Sequence, residues 1–120
     1  MIPQRDLSLL SNRLAERGGR RIPETVLERD YCLSWFLVGL SRSPLRDRLA
    51  FKVHLDRHSH ENSHTFYLAY EGPLSRARGK TVKTDITIRE RIVLALAERP
   101  VLRGYEEYRD LPDVGGHHPV

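Results

Sequence analysis

Cysteine occurs once in these 120 residues, at Cys32, and methionine and tryptophan also occur once each. A single cysteine excludes an internal disulfide and any Cys-x-x-Cys zinc arrangement. Its place in the apolar run from Tyr31 to Leu40 marks it as a small core side chain. Long apolar runs are missing too. The stretch from Trp35 to Leu40 falls far short of the roughly 20 residues that a bilayer-spanning helix needs. The opening MIPQRDLS has no apolar signal segment, so the expected setting is the cytoplasm, with no membrane partner. Lysine is scarce: Lys52, Lys80 and Lys83 are the exceptions among 20 basic residues, and the rest are arginines. No internal repeat or low-complexity block is present.

What remains is an ordinary globular composition, 39% hydrophobic and 30% charged, enough for one small domain near the lower limit of a comfortable core. A net charge of +4 and a pI near 9.6 permit nucleic acid or nucleotide as a partner without requiring one. Arginine, with its planar fork of donors, suits phosphate.

In chain order, Asp6 is placed to cap a helix from Leu7 to about Arg17, with Leu7, Leu10 and Leu14 on one stripe and Gly18-Gly19 as its stop. Pro23 suits the first turn of a second helix, in which Val26, Leu27, Asp30, Tyr31, Ser34, Trp35 and Val38 extend to Gly39. The apolar density from Tyr31 to Leu40 makes this the most buried element of the N-terminal half, with Trp35 and Phe36 read as core. Ser41 to Pro44 reads as a turn and Leu49 to Leu55 as a short strand. From Asp56 to His64 there is no apolar residue, so this stretch reads as a connection. Ile92 to Ala97 fits strand or helix, with Pro100 closing it. Val101 to Pro112 reads as extended, and residues 114–120 as a flexible tail after a single domain of residues 1–113.

The most informative stretch is Thr65 to Arg91: two strand-like runs joined by a basic turn with Arg76, Arg78 and Lys80 around Gly79. In the second run Val82, Thr84, Ile86 and Ile88 alternate with Lys83, Asp85 and Thr87, which puts Lys83 and Asp85 on one face of a strand. The plain reading of that face is a polar row on a surface strand. The chemical reading is a carboxylate that holds a metal ion beside a lysine near a phosphate.

Taken as a line, RIPETVLERDYCLSWFLVGLSRSPLRDRLAFK followed by a hairpin ending in KTDITIRER resembles the AbiEii family of toxin nucleotidyltransferases, over Ile22 to Lys52 and Thr65 to about Asp113. The resemblance implies a polymerase-beta-like core and transfer of a nucleotide from a nucleoside triphosphate, with Mg2+, to an acceptor such as tRNA. It also implies a cognate antitoxin protein as partner. It places Asp85 as a metal ligand and catalytic residue and Lys83 as its neighbour at the phosphates; beside it, Arg76, Arg78 and Lys80 of the basic turn, with Lys52, read as contacts to substrate phosphates or else as solubilising charges. Such chemistry takes about three converging carboxylates to hold two metal ions. The family's Gly-Gly-Ser/Thr turn and Asp-x-Asp pair occur nowhere in this sequence, and Lys52 runs instead into Val53-His54-Leu55-Asp56. Asp56 and Glu61 have no acidic partner two residues away. The expectation is therefore a truncated, catalytically incomplete member, with the motif block after Phe51-Lys52 and the C-terminal helical part lost. The alternative is a non-catalytic binding protein that docks an antitoxin or RNA through its basic hairpin.

Two further constellations complete the reading. His54, His58, His60 and His64, with Asp56 and Glu61, have a spacing compatible with zinc or nickel, though polar histidine-rich loops are ordinarily solvated. Ser34, Ser41 and Ser43 have no His and Asp arranged to activate them. The fold expected is α+β, with two N-terminal helices packed on a small, mostly antiparallel sheet of about residues 48–57, 64–71 and 81–88.

Overall fold

A computed structural model describes residues 1–50, 63–74, 79–87, 95–101, 103–112 and 115–119. The fold is α+β, with two helices and short antiparallel strand pairs. Helix α1 spans Gln4–Glu16. Its stripe is the expected one, since Leu7 and Leu10 are fully buried and Leu14 packs against the same cluster. Each such leucine contributes about 1.5–3 kcal/mol of burial. The helix starts earlier than Asp6 implies, because Pro3 is its N-cap and Asp6 N–H donates to the Pro3 carbonyl at 3.0 Å. Asp6 thus sits in the first turn, where its charge complements the helix dipole. Gly18, at φ 76°, supplies the left-handed residue that turns the chain out of the helix.

Helix α2 spans Glu24–Ser41, with Pro23 as N-cap. Its buried stripe is Leu27, Tyr31, Ser34, Val38 and Ser41, with Glu28 beside it. Trp35 and Phe36, expected in the core, are 39% and 41% exposed. Trp35 lies one turn beyond Tyr31 and meets its ring edge-on, with centroids 6.5 Å apart, at the margin of the buried stripe; Phe36 is about 100° further round the helix. Beyond Ser41 the chain continues in turns as far as Arg48, closed by Arg46 N–H to the Ser43 carbonyl and Arg48 N–H to the Leu45 carbonyl. Arg48 is therefore turn rather than the start of a strand; the rest of the expected 48–57 strand lies almost wholly outside the described residues.

Strands β1 (Ser63–Ala69) and β2 (Thr81–Thr87) pair antiparallel in the register Thr65 to Asp85, Tyr67 to Lys83 and Leu68 to Val82. These are the two strands expected at 64–71, from its aromatic run, and at 81–88, from its alternation. A second pair joins β3 (Leu96–Pro100) to β4 (Gly115–Pro119), and α2 runs against β4. Residues 115–119, expected in a tail, are thus a strand: the two glycines and Pro119 weaken any alternation in the sequence, and the pairing comes from a partner some twenty residues earlier.

The core collects Ile2, Leu7, Leu10, Leu27, Tyr31, Leu74, Tyr108 and Leu111. The stretch expected to be extended contains a 3-10 turn over Glu106–Tyr108. Tyr108 is buried edge-on against Tyr31, with ring centroids 5.3 Å apart, and its hydroxyl donates to the Leu27 carbonyl at 2.8 Å. The Tyr31 hydroxyl donates to Asp110 Oδ2 at 2.6 Å and accepts from Ile2 N–H at 2.9 Å. Arg13 fixes the same turn from α1 through Glu107 Oε2 at 2.6 Å.

Candidate functional site

The β1–β2 pairing sets two unlike faces. Phe66, Leu68, Val82, Thr84 and Ile86 share one; Thr65, Tyr67, Lys83 and Asp85 share the other. The polar face is open, with Tyr67 66% exposed. Lys83 and Asp85 stand on one face as the alternation requires, with Lys83 Nζ 3.9 Å from Asp85 Oδ2. Opposite Asp85, Thr65 Oγ1 donates to Asp85 Oδ1 at 2.6 Å. Thr65 was not singled out from the sequence, and only the pairing register identifies it.

Among the described residues, Asp85 is the carboxylate that this face carries. Mg2+ requires near-octahedral oxygen ligation, usually with carboxylates from the protein, and Asp85 offers one carboxylate whose charge is offset by an ammonium 3.9 Å away. No group of three or more His, Cys, Asp or Glu suited to a metal occurs among the described residues. Lys52, Arg76 and Arg78 lie outside the described residues, as do His54, His58 and His60, while His64 is an exposed residue of β1 opposite Ile86.

Lys80 has a different setting from the one its place in a basic turn suggests. Its Nζ lies 2.8 Å from Glu28 Oε1 and 3.0 Å from Glu28 Oε2, and it also donates to the Leu74 carbonyl. Glu28 is 1% exposed, and its Oε2 accepts the Leu74 N–H at 2.6 Å. Gly72 passes so close that an added Cβ would stand 2.6 Å from the Glu28 side chain. A buried carboxylate is tolerated only when paired and hydrogen-bonded, and these three contacts meet that requirement. Cys32 lies alongside, its thiol 3.9 Å from the Glu71 carbonyl. Burial, then the negative charge of Glu28, push this thiol above its ordinary pKa.

Above the Glu28–Lys80 pair a groove of about 800 Å3 runs between the start of α2 and the base of the hairpin. Arg21, Thr25 and Arg29 line one side; Tyr70, Gly79 and Thr81 line the other. Among the described residues no helix is long and apolar enough to cross a membrane. No family model matches this chain, and no curated protein or solved structure matches it either.

Proposed function

We propose that this chain is an AbiEii-like nucleotidyltransferase domain by descent, from the toxin side of a bacterial toxin and antitoxin pair, and catalytically incomplete. The observation that carries this reading is the β2 face on which Lys83 and Asp85 stand together, the lysine exposed and the carboxylate braced by Thr65. In an active relative that carboxylate would hold Mg2+ together with further acids, and the lysine would meet the phosphates of a nucleoside triphosphate. Among the described residues Asp85, charge-compensated by Lys83, supplies one part of that arrangement.

A second reading is favoured by the exposure of the hairpin. Phe66 is 49% and Tyr67 66% exposed on opposite faces of a two-stranded ribbon in a basic chain. A ribbon of this kind can dock on an antitoxin protein or on RNA such as tRNA, without chemistry. The two readings separate by experiment. Incubation with Mg2+, labelled nucleoside triphosphates and tRNA should give no transfer under either, and retention of tRNA is what the second adds. Under the second, retention of tRNA should fall steeply between low and moderate salt.

A further inference from the structure

We propose that the groove between the start of α2 and the hairpin base is a binding site for a small oligophosphate, carried by the guanidinium groups of Arg21 and Arg29. It shares no residue with the Lys83–Asp85 face, so it stands or falls apart from the function proposed above.

The charges lining the groove lead to this ligand. Glu28, at its base, is neutralised by Lys80 at 2.8 Å. The Glu24 carboxylate, also on the lining, accepts the Ser8 hydroxyl at 2.7 Å and keeps its charge, so that Arg21, Arg29 and Lys80 against Glu24 and Glu28 leave the lining net positive by one. Arg21 and Arg29 remain, both exposed and without an ion-pair partner among the described residues. The hydroxyls of Thr25, Thr81 and Tyr70 add donors on both sides. A lining rich in donors favours a ligand rich in acceptors, and arginine forks match phosphate oxygens in pairs.

Two cations on separate turns of the chain suit a ligand with more than one anionic group, which a phosphate chain has and a single carboxylate lacks. The volume of about 800 Å3 is that of a small-molecule site, roughly 300–1,000 Å3. Lys80 contributes to the wall rather than to the ligand, because its three donors already face Glu28 and the Leu74 carbonyl.

The test is calorimetric titration of the full chain, without divalent metal, with sodium tripolyphosphate, ATP and citrate at low and at moderate salt. Tripolyphosphate should bind, and more weakly as salt rises. The double variant Arg21→Gln/Arg29→Gln should lose at least about tenfold in affinity, which is about 1.4 kcal/mol. Arg109→Gln, an exposed arginine outside the groove, should leave binding unchanged. Equal affinity for ATP would identify the phosphate chain alone as the ligand; tighter binding of ATP would add its base, with Tyr70 as the stacking surface. Both arginines are exposed, so the variants should fold, and Arg29→Lys, which keeps the charge and loses the fork, should weaken binding by less than Arg29→Gln. Absence of heat with tripolyphosphate, binding that survives the double variant, or citrate binding equally well would overturn the proposal.

Discussion

Lys80 and Glu28, 52 residues apart in sequence, form an ion pair at 2.8 Å in which the carboxylate is 1% exposed and the ammonium side chain 15% exposed. The pair ties the base of the β1–β2 hairpin to the second turn of α2, and its stability follows from what each partner leaves behind when removed. Lys80→Met leaves a buried carboxylate with only the Leu74 N–H. It should cost about 3 kcal/mol, whereas Glu28→Leu combined with Lys80→Met should recover most of that loss. Urea unfolding of the three variants checks this. A double variant as unstable as Lys80→Met would show that the pair itself stabilises the fold.

Gly72→Ala should destabilise by about 1–3 kcal/mol, because the new methyl meets a Glu28 side chain that Lys80 and Leu74 hold in place. Gly39→Ala, where an added Cβ meets nothing within 4 Å inside α2, should instead stabilise by up to about 1 kcal/mol. Thermal melts of the two variants should shift in opposite directions.

Alkaline pH should weaken the fold. Burial raises the Tyr31 hydroxyl above its ordinary 10.0, and its hydrogen bond to Asp110 adds to the rise. Burial likewise raises Tyr108. In both cases the folded chain holds its proton more tightly than the unfolded chain. That stabilisation is complete below about pH 10 and is lost as pH climbs from there through the folded-state values. Denaturation midpoints should be flat approaching pH 10 and fall above it, and Tyr31→Phe should make the fall shallower.

Much of the hairpin was legible in the sequence, since alternation over 81–88 fixes which residues share a face and β1 matches its aromatic run. Helix α1 was legible for the same reason, a clean stripe of leucines ended by glycine. Other features depend on partners distant in sequence. Glu28 reads as a surface charge until Lys80 and the Leu74 N–H arrive from the hairpin base. Tyr108 lies in a segment too short to show a period, and its burial comes from Tyr31 and Leu27. Trp35 and Phe36 misled because apolar density is blind to direction: α2 buries the stripe through Leu27, Tyr31 and Val38, leaves Trp35 at its margin against the Tyr31 ring and sets Phe36 beyond it. At the candidate site, Lys83 and Asp85 were legible as a pair. Thr65, which meets Asp85, was not, because register is a property of the pairing rather than of either strand.

Asp85→Ala should cost little stability. It removes an exposed hydrogen bond to Thr65 and a loose pair with Lys83, together worth about 1 kcal/mol or less at a surface, and chemical denaturation will measure the difference.

The most direct test of the central claim is a transfer assay with the purified chain, Mg2+, each α-labelled nucleoside triphosphate and tRNA, run beside Asp85→Ala. The account predicts no label on tRNA or on the protein from either chain. Label transferred by the unaltered chain and lost with Asp85→Ala would show a working nucleotidyltransferase and contradict the claim that its catalytic set is incomplete.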